Sequence, residues 1–252
     1  MCLIAVALHA HENYPFVLIA NRDEFYERPT KQAHFWEDIP ELLAGRDLKS
    51  MGTWLGVTKK GKIAALTNYR EPAEDTKEKS RGELTADFLK SEQSAETYLT
   101  KVGNKGDEYN GFNLLVGKFN ELYYYSNRQN EIISMDDGVH AVSNHLMNTS
   151  WPKVDFIKEG LSHYLSHHEE FDINELLQLL KRAEPAPDDQ LPNTGVPLEW
   201  ERMLSPIFIS SKLYGTRTQT VITISKEGNV TFAEKTVGME DLKVFQFAIE
   251  SS

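Results

Sequence analysis

The order in which the hydrophobic period changes along the chain constrains its fold more than any other feature. Up to Ser143 the apolar residues fall in short runs broken by turn residues, the pattern of buried strands joined by tight connections. Leu3–His9 and Phe16–Ala20 flank His11-Glu12-Asn13-Tyr14-Pro15, whose Asn and Pro favour a turn, so they are predicted to form a buried hairpin. Thr53–Thr58 and Ile63–Asn68 repeat the pattern around Lys59-Lys60-Gly61-Lys62. Phe112–Val116 and Leu122–Tyr125 repeat it around Lys118–Glu121, and Ile132–Ser134 and His140–Ser143 extend the β region. Glu71–Arg81 is charged and expected to be an exposed loop; it leads through Ser80-Arg81-Gly82-Glu83 into a helix with Leu84, Phe88 and Leu89 on one side. From Trp151 the period becomes helical: Val154, Ile157, Leu161, Tyr164, Leu165 and His168 share a face, with Pro152 suited to the first turn. Ile173–Leu180 reads as another helix. Glu184–Pro206 holds five of the ten prolines and is expected to be irregular. Ile207–Ser210, Thr218–Ser225, Val230–Glu234 and Val244–Ile249 read as strands again. Strands, a helix pair, strands, two helices and strands predict an α+β fold with helices covering antiparallel sheets. Without a repeat or linker, residues 1–252 are expected to form one domain.

Composition narrows the function. The chain carries 27 Lys+Arg against 38 Asp+Glu, a formal charge of −11, so it lacks the basic face that nucleic acid or an anionic membrane would need. No apolar run reaches the roughly 18 to 20 residues of a membrane span. The apolar start Cys2–Leu8 has no Lys or Arg before it and is followed at once by polar residues, unlike a secretory signal. A cytoplasmic protein is expected. The one cysteine excludes an internal disulfide, and it stands at position 2.

Removal of Met1 would give Cys2 both a thiol and a free α-amine. A thiol needs a nearby base or positive field to become a nucleophile. The α-amine, with an ordinary pKa of roughly 7.7 to 8.0, could take that proton within the same residue. A buried cysteine can equally be a small apolar side chain. The segment Asn21-Arg22-Asp23-Glu24 leaves the apolar strand Phe16–Ala20 as four polar residues, with Arg22 and Glu24 predicted on one face and Asn21 and Asp23 on the other. Beside a thiol, Arg22 would lower its pKa and Asp23 would orient the amine, while Asn21 and Glu24 are candidates for substrate contact. Asn68 and Asn144 each end an apolar strand. Asparagine there commonly forms turns, but its neutral NH2 can also stabilise an oxyanion. Arg217 sits where Tyr214-Gly215-Thr216-Arg217 enters a strand.

These residues together carry a resemblance. The motifs Met1-Cys2-Leu3-Ile4, Asn21-Arg22-Asp23-Glu24, Gly45-Arg46-Asp47, Gly52-Thr53-Trp54-Leu55-Gly56 and Leu66-Thr67-Asn68-Tyr69-Arg70 resemble the NRDE family, the relatives of transport and Golgi organisation protein 2. The match continues through Ser80-Arg81-Gly82, Tyr109-Asn110-Gly111-Phe112-Asn113, Val142-Ser143-Asn144 and Tyr214-Gly215-Thr216-Arg217. Met51 departs from the pattern, which often has a second glycine there. The family in turn looks like the N-terminal-nucleophile hydrolases, which implies a four-layer αββα sandwich. It also implies a catalytic set of Cys2 as nucleophile, Arg22, Asp23, Asn144 as oxyanion donor, and Arg217; beside that set, Asn21, Glu24 and Asn68 are expected to contact substrate, Asn68 also as a second oxyanion donor. The hydrolases separate the arginine and aspartate by two residues, whereas Arg22 and Asp23 are adjacent. Only one can keep its expected direction unless a bulge re-aims the other.

Two functions stay open at this stage. One is an N-terminal cysteine hydrolase cleaving a non-peptide amide or thioester of a small apolar acyl compound, with no cofactor. The other, also implied by the resemblance, is a non-catalytic carrier of haem, lipid or acyl-CoA in the same cleft. The carrier would draw haem ligands from Cys2, His9, His11 or another isolated histidine, since no Cys-x-x-Cys-His is present. His163 and His167 have metal-ligand spacing, but no glutamate completes a zinc motif and a solvated helix face is expected. Glu184–Pro206, with Leu191, Leu198 and Trp200, suits either a lid over an apolar ligand or ordinary surface packing. Tyr123-Tyr124-Tyr125 is expected to divide between two strand faces.

Overall fold

Strand β1 (Cys2–Leu8) is apolar at every position because both of its faces are covered. Ile4, Val6 and Leu8 point into one apolar layer, while Leu3, Ala5 and Ala7 point into another. A computed structural model describes residues 2–72 and 77–250. The hairpin predicted at the start of the chain is present as β1 and β2 (Phe16–Phe25), and β2 continues through the four polar residues. β3 (Thr30–Trp36) and β4 (Ile39–Asp47) follow, then β5 (Leu55–Thr58) and β6 (Lys62–Asn68). Helices α1 (Arg81–Lys90) and α2 (Ala95–Gly103) lead to β7 (Phe112–Lys118), β8 (Glu121–Ser126), β9 (Glu131–Ser134) and β10 (Gly138–Val142). Helices α3 (Pro152–His167), α4 (Ile173–Leu179) and α5 (Leu198–Leu204) precede β11 (Tyr214–Ile224), β12 (Asn229–Thr236) and β13 (Leu242–Ala248).

The strands form two antiparallel sheets. One runs β10-β1-β2-β11-β12-β13, the other β3-β4-β5-β6-β7-β8-β9. Alternation of side chains produces three apolar layers. Ile4, Phe16 and Leu18 meet Leu43, Val57 and Leu115 between the sheets. Leu3, Val17 and Ile19 meet Ile157 and Leu161 of α3 and Leu176 of α4. Leu42, Ala64 and Leu114 meet Phe88 of α1 and Leu99 of α2. The molecule is therefore the expected αββα sandwich. Tyr124 lies between the sheets and Tyr125 faces the helices, so the tyrosine run divides as expected.

Three sequence expectations need correction. Ile207–Ser210 is not a strand; only an isolated bridge joins Ser210 to Gly215. The proline-rich segment is not wholly irregular, because α5 begins directly after Pro197, whose fixed φ suits a helix start. Pairs β3 and β4 went unread because β3 is largely polar and half-exposed at the sheet edge, and β4 carries Pro40 and Gly45. Of the predicted loop Glu71–Arg81, residues 73–76 lie outside the described ones, and Glu71 is ion-paired with Arg128. Among the described residues no helix is long and apolar enough to cross a membrane.

Candidate active site

Antiparallel pairing places Cys2 directly opposite Arg22, so their side chains share the inter-sheet face. The alternation predicted for β2 then sends Asn21 and Asp23 towards the helices. Asn21 Nδ2 donates to the carbonyls of Leu180 (2.9 Å) and Ile207 (2.8 Å), tying the end of α4 to the sheet. Asp23 Oδ1 accepts from Thr216 Oγ1 at 2.7 Å, and that hydroxyl in turn accepts from Ile209 N.

The bulge needed near the Arg22–Asp23 pair exists, but on the neighbouring strand. Thr216 pairs with Asp23 and Thr218 with Arg22, leaving Arg217 as the extra residue of β11. Arg217 Nη1 donates to the carbonyls of Phe25 and Arg28 and to Thr30 Oγ1 at 3.4 Å, the hydroxyl that Arg22 also contacts, and so fixes the β2–β3 turn. Arg217 does not line the cleft around Cys2. Asn144 does not line it either. Asn144 is fully buried, its Nδ2 donates to Asn68 O (2.9 Å), and its own carbonyl accepts from Arg70 N (2.7 Å). It pins the chain on either side of Tyr69. Asn68 does line the cleft, with Cys2, Arg22, Asp23, Glu24 and Trp54, around a volume of about 110 Å³.

The first turn of α1 closes the other side of this cleft through Ser80, Arg81 and Gly82. It approaches so closely because Gly52 lacks a side chain: a Cβ there would lie 2.5 Å from the Gly82 carbonyl. Arg22 is held over the Trp54 ring, with its Cζ 4.1 Å from the centroid, and donates to Thr30 Oγ1 at 3.3 Å. Glu24 reaches Arg22 at 3.9 Å and Arg28 at 3.7 Å, while Arg28 binds Asp47 at 2.6 Å. Trp54 itself rests on Gly45, where a Cβ would fall 2.3 Å from the indole. Gly45→Ala is therefore expected to push the indole and Arg22 together, lowering stability by about 1–3 kcal/mol. Urea unfolding with tryptophan fluorescence checks this, and an unchanged midpoint and spectrum would show that the ring moves aside without cost.

Burial dominates the electrostatics. It pushes the Cys2 thiol up, with Asp23 adding to the rise; Arg22 and the Asp23 backbone N–H oppose it. It also raises the Asp23 carboxyl, against the pull of Lys153 and Thr216, and lowers Arg22. Burial would raise Asp47 too, but its hydrogen bonds from Arg28 and the Lys49 N–H bring it below the ordinary carboxylate range. The resting site thus holds a protonated thiol facing a guanidinium, with a buried carboxyl on the opposite face of the same strand end.

Sequence reasoning missed Lys153. It is 4% exposed in the first turn of α3, where Nζ donates to Leu204 O at 2.9 Å. Burial first, then Arg70, lower it to about 7, opposed by Asp23, Cys2 and Glu201. The signal was present: Lys153 precedes Ile157 by four residues and Leu161 by eight, and so sits on the apolar stripe. Also missed was the buried ion pair of Arg70 with Glu201. His9 and His11 follow the far end of β1, about 20 Å of strand from Cys2. His9 pairs with Asp137, and His11 packs on Tyr14 and Phe171. His163 and His167 pack together on the exposed face of α3.

Comparison with known proteins follows the same lines. The family model described as Transport and Golgi organisation 2 matches residues 1–239. The chain is 35% identical over 263 residues to the Transport and Golgi organization 2 homolog of Mus musculus, covering 94% of each chain. It is 37% identical over 240 residues to the Bos taurus homolog, covering 89% of this chain and 87% of that one. Among solved structures, a mutant of the conjugated bile acid hydrolase from Clostridium perfringens superimposes with a TM-score of 0.55 at 8% identity, covering 97% of this chain and 92% of that one.

Proposed function

The chain belongs to the Transport and Golgi organisation 2 family and carries an N-terminal-nucleophile hydrolase fold, and on that premise we propose that it hydrolyses a non-peptide amide or thioester of an apolar acyl compound through Cys2. The observation that carries this reading is the placement of the only thiol: buried at the end of an interior strand, opposite Arg22, and lining a cleft shared with Asn68.

Once Met1 is removed, the Cys2 α-amine takes the Sγ proton as the sulfur attacks the acyl carbonyl. The carbonyl π electrons move onto oxygen, and the Asn68 side chain is the cleft-lining amide suited to receive that oxyanion. Asn144 acts through Asn68 and Arg70, which it holds in place. Collapse breaks the bond to the amine or thiol leaving group, which takes the proton from the α-ammonium. Water then attacks the acyl-enzyme thioester, giving up a proton to the same amine, and the acid departs as the sulfur recovers its proton. Arg22 favours thiolate as it forms, and Asp23, fixed by Thr216, supports the ammonium.

The haem alternative fits less well. His9 and His11, the histidines nearest to Cys2 in sequence, follow the far end of β1 and do not come near the thiol. A panel of acyl-amides and acyl-thioesters tests the proposal. Turnover is expected in the wild type, with a loss of at least ~10³-fold in Cys2→Ala. Equal turnover by both proteins would overturn the nucleophile assignment. An intact mass that retains Met1 in active protein would overturn the amine as base.

A further inference from the structure

Cys2 and Asn68 stand on different sheets: Cys2 begins β1 in one, and Asn68 ends β6 in the other. Their separation depends on what spans the two sheets at this end of the molecule. The β1–β10 ladder stops at Ile4 and Val142, two residues short of Cys2. Beyond it, the chain at Ser143 and His145 is gripped from the opposite sheet by Asn113 of β7, which is fully buried. Asn113 Nδ2 donates to Ser143 O at 3.4 Å and to His145 O at 2.9 Å, and also meets Thr67 Oγ1 of β6 at 2.9 Å. The Tyr124 hydroxyl donates to Asn113 Oδ1 at 2.8 Å, which fixes the direction of the amide.

Ser143 is where this brace meets the thiol's own residue. It is 2% exposed, and its Oγ lies 3.2 Å from Cys2 O and 3.2 Å from Asn144 Oδ1, so one hydroxyl proton serves two buried acceptors. Asn144 Nδ2 in turn donates to Asn68 O at 2.9 Å. The serine hydroxyl thus touches the main chain of Cys2 on one side and the support of Asn68 on the other. Loss of Met1 makes the first contact matter more. Cys2 then has no preceding peptide to hold it, and its place depends on its pairing with Arg22 and on its own carbonyl. We infer that Ser143 is a positioning residue, whose hydroxyl holds Cys2 so that Sγ meets a carbonyl whose oxygen reaches Asn68. This deepens the hydrolase reading and rests on it.

The test compares wild type, Ser143→Ala and Ser143→Thr as full-length protein with Met1 removed. The chain has one cysteine, so cysteine labelled with carbon-13 at its carbonyl gives a single resonance that reports the Cys2 hydrogen bond directly. In Ser143→Ala that resonance moves upfield, and kcat for acyl-amides and acyl-thioesters falls about ten- to a hundredfold. Alkylation of Cys2 by iodoacetamide needs the thiolate but no oxyanion donor, and it stays within about twofold of wild type. Ser143→Thr keeps the hydroxyl, holds the resonance in place and recovers most of the turnover. An unmoved resonance in Ser143→Ala would show that the proton serves Asn144 alone, which overturns the contact. A moved resonance with wild-type kcat overturns the positioning role and leaves Cys2 as nucleophile. Alkylation that falls in step with kcat overturns it too, because the damage then lies in the thiol and not in its alignment. Wild type that turns over no acyl-amide or thioester sinks the hydrolase reading and the positioning role together, and a moved resonance then marks a structural tie only.

Discussion

Lys153→Met is expected to stabilise the protein at neutral pH and to lose that advantage as the pH rises. The folded chain holds Lys153 near 7, against an ordinary lysine value of 10.5. Below about pH 7 both states carry the proton, and the folded state bears the full cost of a buried ammonium. From about pH 7 to about pH 10 the unfolded chain binds more protons, so wild-type stability gains on the variant with each step. At about 1.36 kcal/mol per pH unit, the gain over that window is about 3–4 kcal/mol. Around Lys153 stand Arg70, Asp23, Cys2 and Glu201, all kept in the variant, so their own titrations largely cancel in the difference. Urea unfolding of both proteins at pH 6.5, 8 and 10 measures it. A constant difference would mean that water or a counter-charge reaches the ammonium. Because Asp23 and Cys2 also feel this charge, the pH dependence of turnover should shift in the variant as well.

The largest single loss of stability is expected from Glu201→Gln. The variant leaves the Arg70 guanidinium buried with Trp151, 4.9 Å from its ring centroid, and without a carboxylate. Removing one partner of such a pair costs about 3–5 kcal/mol. Burying two charges is itself expensive, so replacing both is a different experiment: Arg70→Met with Glu201→Leu should recover most of the loss. Midpoints of urea unfolding for the two singles and the double close a thermodynamic cycle. A Glu201→Gln midpoint close to wild type would place the pair within reach of solvent. The loss should persist at high salt, because ions do not screen a buried pair as they screen a surface one.

Most of the fold was legible because its strands obey simple rules. β1, β2, β6 and β7 are buried on both faces and read as continuous apolar runs, and α3 shows its period plainly. β3 was not legible, since a polar strand at a sheet edge looks like a loop until its partner is known. At the site, the facing of Arg22 and Asp23 followed from alternation alone. Arg217 and Asn144 belong to the same neighbourhood but hold backbone instead of lining the cleft, and no local pattern distinguishes those roles. A bulge shows only in the register between two strands, and the second of Asn144's partners is a backbone N–H contributed by Arg70. Lys153 carried a local signal, a charge on an apolar stripe, but its neighbours come from β1, β2, the arm after β6 and α5.

The position of β1 inside its sheet has a consequence for the order of events during synthesis. Its partners are β2, next in the chain, and β10, which begins at residue 138. A lone hairpin of β1 and β2 is marginally stable in water, so the amino terminus stays accessible while the ribosome adds the next hundred residues. At about 5–20 residues per second that interval lasts roughly 5 to 25 seconds. Once β10 closes over β1, Ile4 to Leu8 are paired on both sides. Completion of this sheet is thereby a late event, and slowing translation before β10 emerges would lengthen the interval in which β1 is held by β2 alone.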